Sequence, residues 1–307
     1  MYDLIIVGGG PAGSAAAVYA ARKHLKTLLI TSEWGGQSVV SEDIQNWIGT
    51  PHISGTGLAA QLEGHVEEYA TGFVTIHSPR IASALAVAPG SISVTDDKGE
   101  RHEALTLLIA AGSTRRKLEV PGALEYENKG LTYCASCDGP LFSGQDVVVV
   151  GGGNAGFETA AQLAAYCKSV TLLDRNESFR ADPVTVEKVL AKPNVKARHF
   201  AQIEEILGEQ FVTGIRWKHQ ESGEETLTPT AAVFVEIGLI PNTAWVGSEL
   251  ALDPIKRIIV DPKSQRSSHA RVWAAGDCTD GLYHQNNIAA GDAVKALEDI
   301  YLAIHAR

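Results

Sequence analysis

The chain carries one hydrophobic pattern twice. Residues 4–7, Leu-Ile-Ile-Val, form an unbroken apolar run that ends on Gly8-Gly9-Gly10-Pro11-Ala12-Gly13 and passes into an alanine-rich stretch. Residues 147–150, four valines, do the same, ending on Gly151-Gly152-Gly153-Asn154-Ala155-Gly156 before a helical pattern over 157–165. A short apolar run closed by glycines predicts a buried strand, and the periodic stretch after it predicts a helix. Each helix leads into a further apolar strand, at 27–30 and at 170–173. Both units therefore read as β-α-β, the arrangement that binds dinucleotides.

In such a turn the first glycine permits the bend, the second lets backbone approach a pyrophosphate, and the third lets the helix pack against the strand. The phosphate then meets the positive end of the helix. One such motif is weak evidence, because glycine turns also join strands to helices with nothing bound. Two in matching contexts make that plain reading a poor one.

Between the units, a strand-rich stretch over 73–96 and the apolar run 104–112 complete a first sheet, and the polar segment 113–117 is a crossover. The second unit ends near 232–241, and a later strand at 271–275 precedes Gly276-Asp277, where the chain is expected to return to the first domain. The predicted fold class is α/β, with two Rossmann-like dinucleotide-binding domains, the second inserted in the first. The first comprises 1–112 and 241–307, and the insert 113–240. Two linkers side by side make a natural hinge. The segment 290–305 reads as a packed amphipathic helix.

Composition narrows the function. At 307 residues and 45% hydrophobic side chains, the chain is long enough for a sizeable core. A net charge of −10 with scattered Lys and Arg excludes a nucleic-acid partner, whose phosphates need a concentrated basic face. No apolar run approaches the roughly 18–20 residues of a membrane span, and 231–240 is interrupted by Glu236. Met1-Tyr2-Asp3-Leu4 lacks the features of a secretory signal, so a cytoplasmic protein is expected. Its four cysteines are too few for a secreted disulfide framework, and Cys134 and Cys137 form a CxxC, which means redox chemistry or metal. A closed zinc site needs four ligands, and Cys167 and Cys278 form no second CxxC, so no metal is expected. Those two read as buried structural thiols.

Together and in order, residues 8–13, Gly35-Gly36-Gln37, Glu42-Asp43-Ile44-Gln45-Asn46-Trp47, Cys134-Ala135-Ser136-Cys137-Asp138-Gly139, residues 151–156 and Ala274-Ala275-Gly276-Asp277 are highly specific. Over nearly its whole length the sequence resembles the low-molecular-weight thioredoxin reductases and the homologous flavoprotein core of bacterial peroxiredoxin reductases. The resemblance implies an FAD-dependent disulfide oxidoreductase that passes electrons through FAD to Cys134 and Cys137 and on to a thioredoxin-type protein. It implies FAD held by Gly8, Gly10, Pro11, Ala12, Gly13, Gly35, Gly36, Gln37, Asn46 and Gly112. Glu33 is the candidate for the adenosine ribose hydroxyls, and Gly276-Asp277 for the ribityl chain. Gln285, Asn286, Ile288 and Ala289 are placed beside the isoalloxazine. By the same pattern Cys137 faces the flavin, Cys134 attacks the partner's disulfide, and Asp138 is the general acid and base. A local turn at Asp138-Gly139-Pro140 is the alternative for that carboxylate. A homodimer is implied as well. A peroxiredoxin-directed version would need its thioredoxin-like module on a separate protein.

The second glycine turn departs from the family. Gly151, Gly153, Asn154 and Gly156 are retained, but where reductases that use NADPH carry His-Arg-Arg, this chain has Asp174-Arg175-Asn176, followed by Arg180. An acid there opposes a 2′-phosphate and accepts hydrogen bonds from ribose hydroxyls, which favours NADH. NADPH held through Arg175 and Arg180, a non-nicotinamide donor such as ferredoxin, and a non-catalytic flavin-binding redox sensor remain as alternatives. His284, Asn286 and Asn287 also depart from the family beside the expected flavin position.

Overall fold

A computed structural model describes residues 1–41 and 43–305, so Glu42 of the family motif lies outside the described residues. The chain divides into two compact units, residues 1–114 with 240–307, and residues 115–239.

The first unit opens with strand β1 (Tyr2–Gly9), helix α1 (Pro11–Arg22) and strand β2 (Thr27–Trp34). Helix α2 (Gly55–Ala70) follows, with Ser54 as N-cap, its side chain accepting the Gly57 N–H at 3.0 Å. Then come β3 (Val74–His77), β4 (Ala82–Ala88), β5 (Ser91–Asp96) and β6 (Arg101–Ile109). Their order in the sheet is β3-β2-β1-β6-β5-β4. Strands β1, β2 and β3 run parallel, and Leu4, Ile5 and Ile6 are fully buried, which accounts for the unbroken apolar run.

Short strand β7 (Ser113–Arg115) leaves this unit. The second unit comprises β8 (Leu131–Thr132), helix α3 (Ala135–Asp138), β9 (Asp146–Val150), helix α4 (Asn154–Leu163), β10 (Ser169–Leu173), helix α5 (Pro183–Leu190) and β11 (Val195–Arg198). An antiparallel meander of β12 (Ala201–Gly208), β13 (Val212–His219) and β14 (Glu225–Pro229) precedes β15 (Ala232–Val235). The parallel sheet has the order β11-β10-β9-β15-β8. Its valines at 147–150 are buried on both faces.

Strand β16 (Leu239–Pro241) pairs with β7, so the two linkers form a two-stranded ribbon where the sequence indicated only a polar crossover. Strand β17 (Val272–Ala274) then joins the first sheet beside Leu107, Leu108 and Ile109 of β6, while β5 occupies residues 101–104 of the same strand. The last helix, α6 (Asn286–His305), begins four residues earlier than its periodicity indicated. Its buried Ala293, Ala296, Leu297 and Ile300 join Ala16, Ala17 and Ala20 of α1 in one core. Among the described residues no helix is long and apolar enough to cross a membrane.

Candidate functional site

Both glycine turns have one geometry. Gly8 and Gly151 hold φ of +117° and +124°, a region closed to most L-residues. A Cβ on Gly13 would lie 1.7 Å from the Gly8 carbonyl oxygen, and one on Gly156 would lie 1.8 Å from that of Gly151. These third glycines therefore seat the helix against the turn. A Cβ on Gly10, by contrast, would meet nothing nearer than the Gly36 Cα at 3.9 Å among the described residues, so the backbone is open on that side where α1 begins.

A cavity of about 630 Å³ opens there, entirely within the first unit. Gly8, Gly10, Pro11, Ala12, Glu33, Gly36, Gln37, Gly112, Gly276, Asp277, Asn286 and Ala289, all among the residues that the resemblance assigns to FAD, line it. Glu33 stands within β2 rather than beyond it, because the strand continues to Trp34. The size suits a cofactor, and an open backbone at a helix N-terminus suits its pyrophosphate. Gly13, Gly35, Asn46, Gln285 and Ile288 are not among the lining residues. Asn46 donates to Gln285 Oε1 at 3.1 Å and Asn287 to the Asn46 carbonyl at 2.7 Å, while Ser38 donates to Asn286 Oδ1 at 2.9 Å. The polar residues at 285–287 thus tie the start of α6 to segment 38–46. Arg80, Ile81, Ala82, Asn242 and Trp245 also face the cavity, and no local motif marks them.

Close to that wall, His77, Asp96, Glu100 and His102 bring ligand atoms within 4.8 Å of one another. A cation is already present: Arg80 Nε lies 3.6 Å and His102 Nε2 3.4 Å from Asp96 Oδ2. Burial pushes the Asp96 carboxyl up, but the backbone N–H of Glu100, His102, the N–H of Lys98 and Arg80 together hold it below the usual carboxylate range. A depressed carboxyl stabilises the fold above its unfolded value, and that contribution is lost as pH falls through the folded one. Asp96→Asn is expected to lower the neutral-pH Tm by several degrees and to flatten its decline below about pH 4, in thermal melts across pH.

In the second unit, Asp174 directly follows β10, beneath the turn. It is buried, Asn176 Nδ2 donates to its Oδ1 at 3.0 Å, and its Oδ2 has no partner among the described residues. That orphan oxygen would lie 2.4 Å from a Cβ on Gly152. Arg175 and Arg180 are exposed, and Arg180 Nη2 donates to Asn176 Oδ1 at 3.1 Å. Asn154 is spent locally, its Oδ1 accepting the Asp182 N–H at 2.8 Å. Opposite Gly151 stands Glu236, whose carboxyl accepts from Thr159 Oγ1 at 2.9 Å.

Cys134 and Cys137 form a disulfide, with Cα atoms 5.3 Å apart. Cys134 is the N-cap of α3, and its sulfur accepts the Cys137 N–H at 3.2 Å, a contact that also stabilises a thiolate. Thr132 connects the pair to Asp138: its hydroxyl donates to Asp138 Oδ2 and accepts the Cys134 N–H. Both cysteines and Asp138 are half-buried, so exchange is open to them. Cys167 and Cys278 are buried, and burial pushes the Cys278 thiol up to about 12.

A family model described as pyridine nucleotide-disulphide oxidoreductase matches residues 2–294. The chain belongs to that family. It has the α/β fold with two Rossmann-like sheets that solved thioredoxin reductases have. It is similar to the thioredoxin reductase of Streptococcus pyogenes MGAS5005, with 32% identity, a TM-score of 0.91 and coverage of 100% of this chain and 99% of that one. The enzyme of Giardia duodenalis gives 31%, 0.93, 99% and 98%. Among curated sequences, the NADH dehydrogenase of Bacillus subtilis (strain 168) is 38% identical over 96% of this chain. A component of the alkyl hydroperoxide reductase of Escherichia coli (strain K12) is 39% identical over 96%. The chain spans 57% of the length of each of these two relatives.

Proposed function

We propose that this protein passes electrons from NADH through FAD to the Cys134–Cys137 disulfide, and from the resulting dithiol to the disulfide of a small thioredoxin-type protein. One observation supports the donor above all: Asp174, an acid directly after β10 beneath the second glycine turn, has an Oδ2 with no partner among the described residues, and an acid at the end of that strand is the acceptor that ribose hydroxyls need. A 2′-phosphate would meet that carboxylate as a like charge.

FAD, when bound, takes the electron pair of a hydride and yields it to a disulfide. The first unit's part is to hold it, through the glycine turn, Glu33 and the Gly276-Asp277 turn. Two electrons and two protons convert Cys134–Cys137 to thiols, and NADH, a proton and the partner's disulfide become NAD⁺ and the partner's dithiol. Cys134, as its thiolate, attacks the partner; Cys137 then closes the bond and releases it. Asp138, held by Thr132, exchanges the proton with the pair. The reading includes a homodimer and a cytoplasmic setting.

Anaerobic titration of the flavin absorbance tests the donor. NADH is expected to bleach the flavin at concentrations about tenfold or more below NADPH. Bleaching by reduced ferredoxin and by neither nicotinamide would overturn the donor assignment.

A further inference from the structure

Glu236 stands where the strand order of the second, parallel sheet reverses. With the order β11-β10-β9-β15-β8, the chain leaves β9 through α4 toward β10 on one flank and returns to β15 on the other. Open parallel sheets bind ligands in the crevice outside the carboxyl ends of the strands at such a reversal. Val150 and Val235 are paired in register, so Gly151 and Glu236 are the first residues beyond the two strands that flank it. They are closely apposed: a Cβ on Gly151 would lie 2.2 Å from the Glu236 carbonyl oxygen. Thr159, buried on α4, fixes the carboxyl by its 2.9 Å hydrogen bond.

We infer that Glu236 is a proton-linked element of the dinucleotide site, neutral when a nicotinamide dinucleotide is bound, so that binding takes up a proton. This rests on the reading that the second unit takes such a dinucleotide. The physical reason is charge. The pyrophosphate brings two negative charges to the start of α4, whose positive end attracts them, and an ionised Glu236 at the same crevice opposes them. The groups facing Glu236 are Arg115 from β7 and Glu158 and Thr159 from α4. Burial pushes its carboxyl up to about 7, against the pull of Arg115 and of the Thr159 hydrogen bond and with the help of Glu158. The group is therefore poised between its two states near neutral pH. It is neutral below that value and ionised above it, so affinity falls as pH rises.

The probe is tetrahydro-NAD, which cannot deliver a hydride, titrated calorimetrically into the FAD-loaded full chain between pH 6 and pH 8. Kd is expected to rise up to about tenfold over that interval, with net proton uptake measured from buffers of different ionisation enthalpy. Glu236→Gln should hold the low-pH affinity throughout and abolish the uptake. Glu158→Gln, a change at an exposed position, removes a like charge and should move the midpoint to lower pH, with flavin content as the folding control. Binding with a flat profile in the unaltered chain, or a midpoint that ignores Glu158→Gln, overturns the inference and leaves the donor reading standing. No binding at any pH defeats the donor reading itself.

Discussion

Cys137→Ser is expected to abolish disulfide turnover, by roughly three orders of magnitude or more, and to leave a yellow protein with its full complement of FAD. The chemistry needs two sulfurs that bond and separate, and a serine oxygen neither forms that bond nor ionises near neutral pH. The cavity proposed for FAD is lined by residues of the first unit alone, whereas Cys137 belongs to the second, so retention of the flavin is a separate readout. Cys134→Ser should behave alike in turnover. It differs in one respect: a reactive thiol at Cys137 remains, with no Cys134 to attack the partner. Flavin absorbance and the rate of dithiol formation in a thioredoxin-type partner, measured side by side, check both statements. Turnover that survived either substitution would remove the pair from the reaction.

The glycine turns were legible because backbone geometry demands glycine at those positions, whatever the rest of the chain does. Gly8 and Gly151 carry the same positive φ, and Gly13 and Gly156 the same contact with the turn, so a repeated pattern became a repeated structure. Asp174 was legible for a related reason, since the end of the strand after the turn is fixed by the length of one β-α-β unit. Contacts between segments distant in sequence were not. Arg80, Ile81 and Ala82 reach the cavity from the link between β3 and β4, and Trp245 from beyond the second linker, and none belongs to a spaced motif. The meander β12–β14 was not legible, because β12 and β13 mix buried with more exposed positions, β14 has no buried residue, and all three lack the long apolar run that marks the parallel strands. Gln285 shows how a motif locates a segment without fixing each side chain's partner: the residue is held by Asn46 and is absent from the cavity wall. In the sequence Glu236 is a charge that interrupts an apolar run. Its place opposite Gly151 emerges only once β15 is known to lie beside β9.

Asp174→Asn is expected to weaken NADH binding about 10- to 100-fold and to shift the NADH-to-NADPH preference by more than that. Hydrogen bonds to a charged acceptor contribute about 1.5–3 kcal/mol each, and about 1.4 kcal/mol is a factor of ten. The side chain's surroundings make the test a clean one. Its backbone is fixed independently, with the Asp174 N–H donating to the Arg198 carbonyl at 2.9 Å and its own carbonyl accepting the Ala201 N–H at 2.8 Å. An amide of the same shape therefore keeps the strand end in place, and it loses the charge that ribose hydroxyls would contact. The repulsion that opposes a 2′-phosphate disappears with the same change, and the exposed Arg175 and Arg180 remain to meet it. Dissociation constants for the two dinucleotides, measured on the FAD-loaded variant and the unaltered chain, give the ratio directly. A ratio that stayed constant would show that the buried carboxylate takes no part in reading the ribose.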